Sequence, residues 1–158
     1  MRRVARALAT ALLLAALALS VTACGGGAND DAKPTKAAYA SEVRGVMDEM
    51  EATYGDALTK PSATPEDLEA VRASLLDTAK RLEAITPPAG LETEHEDLVA
   101  GVRGLGDAIK GLAEASRVAD TNPARAKRLT KEFAKDPSLA RITAAAAKLQ
   151  DAGVDAGL

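Results

Sequence analysis

The chain holds one cysteine and one histidine, and each stands where its chemistry could be used. Cys24 closes the tetrad Val21-Thr22-Ala23-Cys24. A thiol directly behind small residues, at the end of an apolar run, fits a lipoprotein processing site. There the sulfur is alkylated by a diacylglycerol and the chain is cut before it. His95 is flanked by Glu92 and Glu96, and Glu92-x-x-His95 has the carboxylate–imidazole spacing of di-iron helical bundles. That site needs a second such pair and two more carboxylates on facing helices, and there is no second histidine. Two readings of His95 follow. As a functional group it is a metal ligand or pH sensor, with Glu92 and Glu96 as the accompanying carboxylates. As a structural group it caps one end of a bundle and bonds a loop carbonyl near Pro87 or Pro88. The structural reading is preferred, and no cofactor is expected. The acidic run Glu92, Glu94, Glu96 and Asp97 is read as complementing a helix dipole rather than as a divalent-cation patch, since no Asp-x-Asp-x-Asp-Gly loop accompanies it.

The residues before Cys24 agree with export. Arg2, Arg3 and Arg6 form a positive start, and Ala7 to Val21 is an apolar stretch without charge, too short for a comfortable membrane span of about 20 residues. Residues 1–23 are therefore read as a lipoprotein signal peptide. Residues 24–34, with Gly25-Gly26-Gly27 and Asn29-Asp30-Asp31, are read as a lipidated flexible tether. An ordinary secretory signal cut near Ala23, or an uncleaved anchor, stays open, as does the choice between the Sec and twin-arginine routes. Two acyl chains hold a protein stably on a bilayer, so the folded part needs no membrane-binding face.

The remaining 135 residues from Cys24 onward suit one domain. Without further cysteine no disulfide supports it. One Phe, two Tyr and no Trp leave a core of Leu, Ala, Val and Ile. Good helix formers dominate and strand formers are scarce, which predicts an all-α fold. Residues 25–120 carry 19 Asp/Glu and 10 Lys/Arg, a net of −9, whereas residues 121–141 carry six Lys/Arg and two Asp/Glu, a net of +4. An acidic body without aromatic stacking residues argues against a nucleic-acid partner.

Apolar periodicity places the elements. A first helix spans about 35–59, with Val43, Val46/Met47, Met50, Tyr54 and Ala57/Leu58 on one face. Lys60 to Thr64 breaks it. Thr64 caps a second helix with Pro65 at its first position, and Leu68, Val71, Leu75, Ala79/Leu82 and Ile85 form its stripe. Thr86-Pro87-Pro88-Ala89-Gly90 stops it. The third helix, about 91–119, carries a seam at Leu91, His95, Leu98, Val102, Leu105, Ile109, Leu112, Ser116 and Ala119, in heptad-like steps. Asn122-Pro123 opens a fourth, with Ala126, Leu129 and Phe133 inward, and Asp136-Pro137 restarts or kinks it. Leu139, Ile142, Ala145/Ala146 and Leu149 make the last stripe, and residues 154–158 fray. The fold expected over residues 35–153 is an antiparallel three- to four-helix bundle with a broken C-terminal helix. A three-helix bundle with a loosely packed arm is the alternative.

Two further groups invite a partner. Gly101, Gly104, Ala108, Gly111 and Ala115 line one side of the third helix, and each mid-helix glycine costs about 1 kcal/mol against alanine. They admit either a neighbouring helix of the same chain or a groove for an outside partner. Arg125, Lys127, Arg128, Lys131 and Lys135 form a basic segment, either solvated and paired with the acidic helices or docked to an anionic partner. No HExxH, P-loop, Gly-x-Gly-x-x-Gly or nucleophile–base set is present, so no enzymatic activity is expected.

The segment Leu82 to Val99, running through Ile85-Thr86-Pro87-Pro88-Ala89-Gly90-Leu91 to His95 and Leu98, resembles a hairpin of small secreted and lipid-anchored helical lipoproteins of high-GC Gram-positive bacteria. The glycine-rich stretch after Cys24 is similar to theirs. The resemblance implies a helical bundle on the outer face of the membrane and no particular activity. The first function expected is thus a membrane-anchored, non-enzymatic interaction module for an envelope protein, acting through Gly101, Gly104, Gly111 or through Arg125, Arg128 and Lys131. The second is a small-ligand or metal carrier or sensor built on His95, Glu92 and Glu96. A plain spacer is the third.

Overall fold

Each helix begins where the chain supplies an acceptor for its unpaired first N–H groups or a residue that needs none. The computed structural model describes residues 33–58 and 63–157, with side chains for all of these but 53–58. Cys24, the residues expected to form a signal peptide and most of those expected to form a tether lie outside the described residues, as do the side chains of Tyr54, Ala57 and Leu58. α1 (Lys36–Leu58) follows Thr35, whose hydroxyl accepts from the Ala38 N–H at 3.2 Å. α2 (Pro65–Glu83) has a full capping box. The Thr64 hydroxyl accepts from the Asp67 N–H at 3.1 Å, and the Asp67 carboxylate accepts from the Thr64 N–H at 2.9 Å. α3 (Glu92–Val118) starts after Gly90, whose φ of +82° makes the turn from α2 and whose N–H donates to the Glu92 carboxylate. α4 (Pro123–Phe133) is capped by Asn122, which accepts from the Arg125 N–H at 3.0 Å. α5 (Ser138–Asp151) begins where Asp136 accepts from the Ser138 N–H.

The fold is all-α, an antiparallel bundle whose last helix is broken into α4 and α5. α3 is its centre and packs against α2, α4 and α5, while α1 lies on α2. Cross-helix pairs give the directions. Arg117 meets Glu69 and Arg103 meets Glu83, so α2 and α3 run opposite ways. Arg125 pairs with Glu114 and Ser138 lies on Gly104, so α4 and α5 together run back along α3.

A helix touched on three sides buries a wider face than a heptad seam. On α3 the buried residues are His95, Leu98, Val99, Gly101, Val102, Gly106, Ile109, Ala113 and Ala115. Leu105 and Leu112 are half-buried, and Ser116 and Ala119, expected in the seam, are exposed. The seam failed at its end because the two-neighbour geometry of a heptad does not apply here.

The glycines show how closely the neighbours come. A Cβ on Gly101 would stand 2.7 Å from the Ile142 side chain, 3.1 Å from the Ile142 nitrogen and 3.2 Å from the Ser138 carbonyl. A Cβ on Gly104 would collide with the Ser138 hydroxyl, and one on Gly106 would crowd Leu75 and Leu76 of α2. Two of the three glycines expected to receive a partner, Gly101 and Gly104, therefore seat α5 of the same chain. Around Gly111 there is open space. At the start of α5 Ser138, not Leu139, is the buried residue, and Leu139 is 62% exposed.

The C terminus also departs from expectation. Gly153 has φ of +81°, and the Val154 N–H donates back to the Leu149 carbonyl at 2.9 Å. This left-handed stop turns the chain and delivers an apolar residue onto the helix it has just left. Val154 and Ala156 are 2% and 3% exposed and belong to the core. Arg44 donates to the Asp155 carbonyl and Lys36 to the Ala152 carbonyl at 2.7 Å. Residues 154–156 are thus a strap across α1, not a frayed tail.

These contacts set opposite expectations for chemically identical substitutions. Gly101→Ala forces a methyl against backbone and should lower stability by about 1–3 kcal/mol despite better helix propensity. Gly111→Ala should raise it by about 0.5–1 kcal/mol. Urea denaturation followed by circular dichroism decides, and equal behaviour of the two variants would refute the packing account. Ending the chain after Gly153 should cost about 2 kcal/mol through exposure of the Val154 site, whereas an unchanged midpoint would show that the strap contributes nothing.

Candidate functional site

The polar group most deeply placed in the bundle is a pair that joins helices otherwise not in backbone contact. Tyr39 of α1 is fully buried, and its hydroxyl lies 3.0 Å from His95 Nδ1 of α3, itself 6% exposed. The two rings meet edge to face with centroids 5.7 Å apart. His95 therefore occupies the bundle end near the Pro87-Pro88 turn, as the sequence suggests, but its partner is a phenol from α1 and not a loop carbonyl.

Proton bookkeeping fixes the tautomer. The Tyr39 hydroxyl has no other hydrogen-bond partner among the described residues, and a buried O–H without an acceptor is costly. The phenol must donate to Nδ1, so neutral His95 carries its proton on Nε2. Burial favours both neutral forms. It pushes the Tyr39 hydroxyl up to about 12. It also lowers the His95 pKa below its ordinary value, against the opposing pull of the Glu96 charge.

His95 lines a cleft of about 480 Å³ together with Pro87, Val99, Ala100 and Glu96. Two ion pairs border it. Lys33 lies on Glu92 at 2.5 Å, and Arg103 on Glu83 at 2.8 Å. Glu92 is held at about 2 by the Lys33 ammonium, with the backbone N–H groups at the start of α3 assisting. Nε2 makes no hydrogen bond among the described residues, and His95 lines the cleft. The cleft thus has an apolar wall, a buried N–H donor and one carboxylate, Glu96, without an ion-pair partner among the described residues.

The metal reading of His95, Glu92 and Glu96 fares worse. Glu92 is committed to Lys33 and to the Gly90 N–H, and His95 Nδ1 to Tyr39. Among the described residues no group of three His, Cys, Asp or Glu side chains is placed to hold a metal ion. On α4, Arg125 pairs with Glu114 and Arg128 lies 3.8 Å from Glu132, so part of the basic segment satisfies the chain's own acids. Lys127, Lys131 and Lys135 are exposed and in no ion pair among the described residues. Gly111 borders a smaller hollow of about 190 Å³ with Leu129 and Phe133, away from His95.

Tyr39 is the site residue that periodicity alone passes over. It stands four residues before Val43, so the first-helix stripe extends to it. Its role depends on a contact across 56 residues of sequence that no local pattern encodes. Comparison of the chain with protein-family models, curated proteins and solved structures finds no match.

The histidine sets a stability window. In the unfolded chain it takes up a proton near pH 6.5, whereas the fold resists that proton. Its contribution is complete above about pH 6.5 and is lost as pH falls through the lowered folded value. The shifted carboxylates, Glu49 and Glu92, titrate below their ordinary 4.5 and act in a separate, more acidic window. The urea midpoint of the wild-type chain should therefore fall as the pH is lowered from about 6.5. His95→Phe should flatten that slope, and a slope unaffected by the substitution would place the titrating group elsewhere.

Proposed function

We propose that the chain is a lipid-anchored, extracytoplasmic and non-enzymatic binding protein that holds a small ligand in the Tyr39–His95 cleft. The observation that carries this reading is the cleft of about 480 Å³, lined in part by His95, whose Nδ1 is bonded to the buried Tyr39 hydroxyl. That volume lies within the usual range for small-molecule sites, about 300–1,000 Å³. The anchor rests on Val21-Thr22-Ala23-Cys24 and the charged and apolar segments before it. The likeness of the 82–99 hairpin to small Gram-positive lipoproteins points the same way. No described helix is long and apolar enough to cross a membrane.

A second reading, docking of an envelope partner, is favoured by the ammonium groups of Lys127 and Lys131 on α4, a helix with no buried residue, and of Lys135 just after it, none of them in an ion pair among the described residues. It loses Gly101 and Gly104 as contact residues, since α5 already covers them.

The full chain, expressed in a bacterial host and extracted in mild detergent, tests both halves of the proposal. Labelled palmitate should be incorporated by the wild type and not by Cys24→Ser, and equal labelling would reject the anchor. Native mass spectra and thermal-shift screening should reveal a small molecule whose binding is lost in Ala100→Phe, which fills the cleft. Absence of any ligand sensitive to that substitution would reject the cleft as a site.

A further inference from the structure

The cleft has a definite charge pattern once its internal pairs are discounted. Its two cations are both engaged: Lys33 by Glu92 and Arg103 by Glu83. Glu96 is left as a carboxylate with no ion-pair partner among the described residues. With the phenol donating to Nδ1 the neutral imidazole offers a donor at Nε2, and burial of His95 favours that neutral form. An anionic ligand would find no free cation and would meet Glu96. A cationic ligand would complete the pairing of Glu96, and a carbonyl oxygen on it would satisfy Nε2–H. Pro87, Val99 and Ala100 supply an apolar wall.

Resting on the reading of the cleft as a ligand site, we infer that its ligand is a small organic ammonium ion with an adjacent carbonyl group and an apolar substituent. The Glu96 carboxylate takes the ammonium, His95 Nε2–H donates to the carbonyl, and the substituent lies on Val99 and Ala100. Amino-acid amides and the amino ends of short peptides have this chemistry. Free amino acids fit less well, because their carboxylate adds an uncompensated negative charge. His95 is held for this task by Tyr39, which fixes the tautomer without touching the ligand.

Three probes of one shape separate the possibilities: leucinamide, which has the ammonium and the carbonyl; N-acetylleucinamide, which is neutral; and N-acetylleucine, which is an anion. Each is titrated at about pH 7 into the full chain in detergent, with the side-chain ¹⁵N resonances of His95 as the readout. Leucinamide should shift Nε2 saturably and bind at least about tenfold more tightly than either acetylated probe. Glu96→Gln should remove that preference and Glu96→Asp should keep part of it, while the urea midpoint of both variants stays near wild type. Tyr39→Phe should alter the tautomer signature of the His95 ¹⁵N shifts. Tighter binding of N-acetylleucine would overturn the ammonium assignment while leaving the cleft a ligand site. The same holds if no probe moves His95 but another ligand sensitive to Ala100→Phe is found. If no probe moves His95 and no such ligand exists, the cleft reading itself falls.

Discussion

The constraint on which this bundle depends is a shortage of side-chain volume. With one Phe, two Tyr and no Trp, the core cannot be filled by large rings spanning the space between helices. Interiors must nonetheless reach the density of organic crystals. The remaining way is to bring backbones together. Gly101 and Gly104 let α5 settle onto α3 through Ser138 and Ile142, and Gly106 lets α2 approach through Leu75 and Leu76. These glycines weaken the helix propensity of α3, and the close packing they permit offsets that loss. Placing α3 at the centre follows directly, since it is the helix that carries the glycines on two of its sides.

Tyr39, the one large aromatic ring in the deep core among the described side chains, brings a polar group with it and so creates the need for a partner. His95 meets that need and thereby acquires a fixed tautomer and an outward donor. Nδ1 joins α1 to α3, and Nε2 is what the joint leaves over for the cleft. The same economy appears at the charged rim, where pairs such as Lys33–Glu92 and Arg103–Glu83 are half-exposed and worth little to stability. They still settle which charge remains for a ligand.

What the sequence made legible was local. Thr64-Pro65 and Asn122-Pro123 announce helix starts through capping chemistry, and both helices start there. The Pro-Pro-Ala-Gly turn places Gly90 at positive φ, as the turn requires. The number of neighbours around each helix was not legible. A four-and-three spacing describes α3 equally well with two neighbours or three, and it shows neither that Gly106 is buried against Leu75 and Leu76 of α2 nor that Ser116 is exposed. Close approach at Gly101 and Gly104 was readable as a possibility, whereas the identity of the approaching helix was not. Gly153 carries a further local signal. A glycine followed by valine after a helix marks a left-handed stop with an apolar contact, and here that contact seals the core.

These parts meet at one end of the bundle. The start of α1, the Pro87–Gly90 turn, the cleft and the C-terminal strap all gather there, as the contacts of Lys33 with Glu92, Tyr39 with His95 and Lys36 with Ala152 show. In the proposed lipoprotein this is also the end at which the tether enters, with eight residues between Cys24 and Lys33, a wall of the cleft. The strap and the Tyr39–His95 bond hold α1 at its N-terminal end, and α1 has only α2 as a helix neighbour. Loosening either contact would therefore act first on the helix that supplies Tyr39, with no need for any change in the α2–α3–α5 core.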